Sequence, residues 1–191
     1  MSLTLNATET ALVLIDLQHG IVGHDTKPYA AKDVVAQCAK LAEAVRGAGG
    51  TVVYVHVLLH EIARGPADTP MFQPGNTPPP AHLSELVPEA GYQPGTDVLI
   101  TKRQWGAFTA TNLDQSLRRH GIKTVIMAGI ATNMGVESTA RSAQELGYHL
   151  VFAEDAMTSV AAEMHEFSTK KLFPIMGNVR SADEILEALK S

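Results

Sequence analysis

Two charged residues directly follow strand-like segments, a position at which a buried charge is costly unless it is paired or takes part in chemistry. Asp16 comes directly after the apolar run at residues 11–15, and Lys102 follows the strand-like residues 97–101. Next to Lys102, Asp16 could act in acid or base chemistry while the lysine keeps it ionised or stabilises a developing anion. Residue type alone leaves alternatives open: Asp16 could cap a turn or form a structural salt bridge, and Lys102 could be a solvated charge.

A third segment, residues 128–138, leaves a predicted strand and enters a predicted helix. Gly135 lies close to the start of that helix, where unpaired backbone N–H groups can hold a phosphate, a carboxylate or an oxyanion. The segment lacks the glycine spacing of a dinucleotide site and the Gly-Lys-Ser/Thr of a phosphate-binding loop. A plain helix start, with glycines for close packing, is the alternative.

Strand-like and helix-like segments alternate along the chain, which predicts a parallel sheet with helices on both faces. The pattern indicates strands at 11–15, 51–57, 97–101, 124–128 and 149–153, and helices at 33–48, 112–120, 134–146, 161–172 and 182–190. Ser181 and Glu184 form a capping box at the last helix. Ligands of open parallel sheets bind beyond the carboxyl ends of the strands. We therefore expect Asp16, Lys102 and Gly135 to meet there, among five or six strands.

A proline-rich loop interrupts this rhythm at about residues 60–95. Eight of the ten prolines lie between Pro66 and Pro94, and proline fixes φ and lacks the backbone donor. The segment should be mostly extended, with a short helix at about 82–86. A linker between domains is the alternative, but residues 1–65 alone could not close the sheet, so we predict one domain over residues 1–191.

Composition narrows the class of protein. The 191 residues are 45% hydrophobic and 18% charged, which excludes a disordered chain and a coiled coil. A net charge of −5 without a basic run argues against a nucleic-acid partner. The run at 11–15 is too short to span a membrane and no basic segment precedes it, so we expect a cytoplasmic protein without a membrane partner. Cys38 is the only cysteine, which excludes an internal disulfide.

Three segments together resemble the isochorismatase-like hydrolases, also called the cysteine hydrolases. They are residues 11–18, with Asp16 and then Gln18; residues 101–112, with Lys102 and then Gly-Ala-Phe-Thr at 106–109; and residues 129–147. Within the last segment, the matching residues are Val136, Thr139, Ala140, Arg141 and Ala143, and the Asp-Ala pair at 155–156 also fits. The resemblance covers most of the chain outside the proline-rich loop.

The resemblance implies a three-layer α-β-α sandwich around a six-stranded, mostly parallel sheet. It also implies an Asp–Lys–Cys triad whose cysteine attacks a carbonyl or nitrile carbon, a cis peptide between Ile130 and Ala131, and an oxyanion hole made by the N–H groups of Ala131 and residue 135. A small-molecule substrate, no cofactor and a homodimer or homotetramer are further expectations. Candidate substrate contacts are Gln18, Trp105, Phe108 and Arg64; either aromatic residue could instead be core packing.

The chain departs from this pattern at the nucleophile, because position 135 is glycine. Cys38 lies in the middle of a predicted helix and cannot substitute, so no covalent acyl-enzyme is expected. Isochorismatases proper also have glycine here and hydrolyse a vinyl ether, with the Asp protonating carbon. The leading hypothesis is therefore a hydrolase of isochorismate or a related small enol ether or carboxylate that uses Asp16 and Lys102. Arg64 is the only plausible carboxylate clamp after the second strand.

Two alternatives remain. The protein could have lost catalysis and bind a small molecule or a partner chain, or it could be a Cys-to-Gly variant of an amidohydrolase. A metal site like that of the nicotinamidases is suggested by His56 and His60, but no Asp-x-His stands beside them. We therefore predict no metal.

Overall fold

A six-stranded sheet forms the centre of the computed structural model, which describes residues 3–62, 65–69 and 77–190. All neighbouring strands run parallel, in the order β3-β2-β1-β4-β5-β6. The strands are β1 Thr10–Ile15, β2 Thr51–Val57, β3 Val98–Lys102, β4 Thr124–Ile130, β5 His149–Thr158 and β6 Asn178–Arg180. The predicted fold class is confirmed.

Helices cover both faces of this sheet. They are α1 His19–Val22, α2 Ala31–Gly47, α3 Leu113–Arg119, α4 Glu137–Glu145, α5 Ala162–Phe167, α6 Phe173–Met176 and α7 Ala182–Ala188. One apolar cluster joins α2 and α7 to one face, and a second joins α3, α4 and α6 to the other. β1 supplies Leu12 and Leu14 to the first cluster and Val13 and Ile15 to the second, which explains why its sequence is apolar throughout.

Several elements differ from the sequence-based expectation. The helix predicted from residue 134 starts instead with a π-helical turn, Thr132–Val136, and a second π-helical turn, Ser168–Leu172, follows α5. The residue pattern gave no signal for β6, because its three residues are too few to show an alternation. The capping box of α7 is present as predicted: the Glu184 N–H donates to Ser181 Oγ, and the Ser181 N–H donates to Glu184 Oε2.

The described parts of the proline-rich loop contain two short 3₁₀ turns, Ala81–Ser84 and Pro88–Ala90. The first stands where a short helix was expected. An antiparallel bridge between Gln18 and Leu86 ties the loop to the end of β1, so part of this loop lies beside the site. None of the described helices is long and apolar enough to cross a membrane.

Candidate active site

Asp16 and Lys102 form a buried ion pair at the carboxyl ends of β1 and β3. Lys102 Nζ lies 2.9 Å from Asp16 Oδ2, and the two side chains are 1% and 9% exposed, respectively. Lys102 also donates to the Trp105 carbonyl over 2.6 Å. Asp16 itself has a left-handed φ of 55°, and its N–H donates to the Val55 carbonyl of β2. The end of β1 therefore aims the carboxylate at Lys102.

One carboxylate oxygen of Asp16 has no protein partner. Oδ1 is buried and accepts no hydrogen bond from the described residues, although a carboxylate has room for several. Burial raises the pKa of Asp16 above its ordinary value, and the charge and hydrogen bond of Lys102 oppose that rise. An acid with a raised pKa and a free oxygen is suited to proton transfer.

Gly135 lies directly beside this pair, within the π-helical turn Thr132–Val136. A Cβ atom on residue 135 would be 3.1 Å from Lys102 Nζ and 3.2 Å from Asp16 Oδ2. The peptide bond between Ile130 and Ala131, which leads into the turn, is cis, as the resemblance implied. The three residues singled out at the strand ends are thus brought together.

Gly129 sets how closely β4 approaches β1. It has a φ of 111°, which glycine adopts without steric cost. A Cβ there would overlap the backbone of Ile15, the residue before Asp16. This glycine lets the strand that leads to Gly135 lie against the strand that ends in Asp16.

A cavity of about 400 Å³ opens onto the ion pair. Its polar lining side chains are Asp16, His24, Thr26, Lys102 and Gln104. The remaining described lining residues are glycine or apolar: Gly20, Ile21, Val57, Leu59, Ile62, Pro79, Leu83, Trp105, Ile130, Ala131, Met134 and Val160. A concave, mostly apolar site with few polar groups is typical of small-molecule binding.

The predicted substrate contacts separate into those that line the cavity and those that do not. Trp105 lines it, as does Ala131, which was predicted for the oxyanion hole. Gln18 does not: its fully buried amide bonds the backbone of Val57 and Ser84, so it supports the loop behind the site. Phe108 packs on Tyr148, with ring centroids 6.0 Å apart. Arg64 lies outside the described residues.

The histidines after β2 do not form a metal cluster with other described residues. His56 Nε2 lies 2.7 Å from Thr101 Oγ1, and its Nδ1 lies 3.0 Å from the Ser84 carbonyl oxygen. No group of three or more His, Cys, Asp or Glu side chains in the described part of the chain is placed to hold a metal ion.

A second polar cluster, behind the π-helical turn, was missed by the sequence analysis. His165 is buried, with Nδ1 2.9 Å from Thr132 Oγ1 and Nε2 3.0 Å from Glu154 Oε1. The Tyr29 hydroxyl lies 3.0 Å from both Glu154 oxygens. We call Tyr29, Thr132, Glu154 and His165 the support cluster. Its members come from four separate segments, so no local spacing could have revealed it.

Several known proteins resemble this chain over most of its length. A sequence profile of the isochorismatase domain matches residues 10–184. The uncharacterised isochorismatase family protein YwoC of Bacillus subtilis is 44% identical, over 99% of this chain and 98% of its own length. The ureidoacrylate amidohydrolase RutB of Rhizobium rhizogenes is 32% identical, over 81% of this chain and 72% of its own.

Among solved structures, an isochorismatase family protein from Burkholderia thailandensis superposes with a TM-score of 0.92. It is 40% identical and both chains are covered completely. These matches support a small-molecule hydrolase. The chain belongs to the isochorismatase family.

Proposed function

We propose that the chain is a single-domain hydrolase of a small molecule that works by acid–base chemistry without a covalent enzyme intermediate. The observation that carries this proposal is the placement of Gly135 beside both Asp16 Oδ2 and Lys102 Nζ. A protein nucleophile is missing at that point, but a proton donor and a cation are present. Hydrolysis that begins with protonation needs only those two groups and water.

Enol ethers are the substrate class that fits a site with a proton donor, a cation and water but no protein nucleophile. Asp16 gives its proton to the enol carbon, and the electron pair of the double bond forms the new C–H bond. Water then adds to the resulting oxygen-stabilised cation and loses a proton to the Asp16 carboxylate. The hemiketal finally breaks into a carbonyl compound and an alcohol, and the proton on Asp16 is restored.

The site residues divide these steps between them. Burial raises the pKa of Asp16, which favours the protonated form that donates, and Lys102 stabilises the carboxylate once the proton has left. The N–H groups of Ala131 and Gly135 would orient the substrate oxygen. Glycine at 135 puts no side chain beside Asp16, at the position from which a cysteine would attack in related enzymes, and the attacking water would come from the cavity that Asp16 lines.

The direct test is incubation with a panel of small enol ethers, isochorismate included, followed by detection of the carbonyl product. We expect turnover that is lost in Asp16→Asn and kept in Cys38→Ala. Cys38 is fully buried and donates to the Ala156 carbonyl, and burial raises the pKa of its thiol, so it should not react. Failure of every enol ether, or turnover that Asp16→Asn retains, would contradict the proposal.

A Cys-to-Gly variant of an amidohydrolase is the second candidate, favoured by the relative named as a ureidoacrylate amidohydrolase. In that case Gly135→Cys should gain hydrolysis of ureidoacrylate or a simple amide, whereas Gly135→Ser should not. In both variants the Ile15 side chain must shift, because the new Cβ would lie 2.8 Å from Ile15 Cγ2. The serine variant therefore controls for that disturbance.

A protein that has lost catalysis is the remaining alternative. It would bind small amides or acids and return them chemically unchanged in a thermal-shift screen followed by mass spectrometry. The homodimer or homotetramer, the absence of a nucleic-acid partner and the cytoplasmic location remain predictions. Light scattering, a nucleic-acid binding assay and cell fractionation test them.

A further inference from the structure

The charges of the cavity are confined to its reactive end. Among the described lining residues, Asp16 and Lys102 are the only ones with a permanent or acidic charge, and they compensate each other at 2.9 Å. Two of the three ammonium protons of Lys102 are taken by Asp16 Oδ2 and the Trp105 carbonyl. His24 is the remaining titratable side chain of that lining.

The rest of the described lining is hydrocarbon or aromatic except for Thr26 and Gln104, whose O–H and amide N–H groups already donate to the carbonyls of Tyr29, Gly106 and Thr109. The apolar lining side chains come from several segments of the chain and include Ile21, Leu59, Leu83, Trp105 and Met134. Burial of apolar ligand surface against apolar walls favours binding, because that surface leaves water. A charged group that leaves water for the same walls loses its hydration without a compensating interaction.

We propose that the bound molecule has a polar, reactive end that meets Asp16 and Lys102 and an uncharged, apolar body that fills the remaining walls. The position given to the reactive end of the ligand rests on the proposed function. The uncharged, apolar nature of the ligand body is inferred from the cavity lining alone. A second charge on the body would find no uncompensated permanent charge in the described lining, because Asp16 and Lys102 pair with each other. Uncharged alkyl or aryl enol ethers should therefore be better ligands than isochorismate, which carries two carboxylates.

The entrance of the cavity is apolar, like most of its walls. Trp105 and Val160 line the cavity and are also 48% and 52% exposed, so they border its opening. A ligand body that extends toward solvent would pass apolar side chains before it reached water. These two positions can therefore be changed without altering the buried core.

Three probes with one head group test this inference on the intact protein: benzamide, 4-carboxybenzamide and 4-(aminomethyl)benzamide. They present a neutral, an anionic and a cationic body, and calorimetry at pH 7 gives their dissociation constants. We expect benzamide to bind about ten-fold more tightly than either charged probe. Equal affinities, a preference for a charged probe or no saturable binding would overturn the inference. If the acid is preferred, Arg64→Ala would show whether Arg64 is its partner.

A charge placed at the entrance should reverse the preference. Val160→Arg is expected to improve binding of 4-carboxybenzamide by about ten-fold while benzamide binding falls. Ile175→Arg is the matched control, because Ile175 is 79% exposed and does not line the cavity, and it should change neither affinity. An equal response of the two variants would mean that surface charge alone acts.

Failure of this inference and failure of the proposed function give different results. If uncharged enol ethers are not hydrolysed but benzamide is still preferred, the ligand class stands and the reaction is wrong. If enol ethers are hydrolysed and charged bodies bind as well as neutral ones, the reaction stands and the ligand class is wrong.

Discussion

Two acid-containing pairs flank the segment that runs from Ile130 to Val136: the acid of one is buried and the acid of the other is one-third exposed. On the cavity side, Lys102 lies 2.9 Å from Asp16. On the other side, His165 lies 3.0 Å from Glu154 within the support cluster. The two distances are nearly equal, so the contact itself does not distinguish the pairs.

The difference lies in what surrounds each carboxylate. Both oxygens of Glu154 have partners, and the hydrogen bond from His165 holds the pKa of Glu154 below its ordinary value. One oxygen of Asp16 has no hydrogen-bond partner among the described residues, and burial raises the pKa of this carboxyl group. A carboxylate with every oxygen satisfied is suited to holding structure together, whereas one left partly unsatisfied is suited to exchanging a proton.

The largest expected difference between the pairs is in activity. Asp16→Asn cannot supply the proton, so kcat/KM on a hydrolysed enol ether should fall by about a thousand-fold. Glu154→Gln should keep most of the activity, because Glu154 does not line the cavity. Steady-state kinetics on both variants measure this, and comparable losses would remove the distinction between the two pairs.

Removal of the lysine should affect both stability and pH dependence. Lys102→Met leaves Asp16 buried without its cation, which should cost about 3 kcal/mol in the free energy of unfolding at pH 7. Asp16→Asn combined with Lys102→Met should recover most of that loss, since no buried charge remains. Urea denaturation measures all three variants, and a double variant as unstable as Lys102→Met would contradict the expectation.

The same substitution should move the alkaline limb of the pH–rate profile. Lys102 lowers the pKa of Asp16, so its removal raises that pKa further. A catalytic acid is active below its pKa and loses activity as the pH rises through it. The alkaline limb of any remaining activity should therefore shift to higher pH, and a shift to lower pH would argue against Asp16 as the acid.

A smaller effect is expected when a methyl group is added beside the ion pair. In Gly135→Ala the new methyl would lie 2.8 Å from Ile15 Cγ2 and 3.2 Å from Asp16 Oδ2, which should cost about 2 kcal/mol of stability. Activity should fall by roughly ten-fold through displacement of the pair. Gly47→Ala is the control: its methyl meets nothing within 4 Å at the end of α2, so stability should rise by about 0.5 kcal/mol.

The smallest effect concerns the support cluster. Glu154→Gln removes a charged hydrogen-bond acceptor that is one-third exposed, so we expect about 1 kcal/mol less stability at pH 7. Because the folded-state pKa of Glu154 is lowered, its contribution is present above its ordinary pKa and is lost on acidification. The difference from wild type should shrink toward pH 3 in thermal unfolding. Glu187→Gln, in an exposed pair with Lys190, should change little at either pH.

Most strands could be predicted from the sequence because burial on both faces of a parallel sheet demands continuous apolar runs. β2 was predicted at its observed bounds, Thr51–Val57. The π-helical turns could not be predicted, because a widened turn keeps helical residue types and is set by tertiary packing. β6 is three residues long, too short for its pairing with β5 to leave a pattern.

Site residues could be predicted from the sequence only where they directly follow a recognisable strand. Asp16 and Lys102 were singled out because a charge directly follows an apolar strand. Gln18 was expected to contact substrate, yet its amide is used by main-chain groups, and residue type does not show which partner an amide will find. The support cluster joins Tyr29 to Glu154 across 125 residues, a distance over which sequence spacing carries no information.

The close approach at Gly129 has a consequence for mutational scanning of this protein. Any side chain at position 129 would push β4, which leads into the turn holding Gly135, away from β1, which is followed by Asp16. In a saturation library, position 129 should therefore tolerate as few substitutions as position 16, although it has no side chain and does not line the cavity. Intolerance at 129 would reflect the spacing between two strands, whereas intolerance at 16 would reflect the chemistry of a carboxylate.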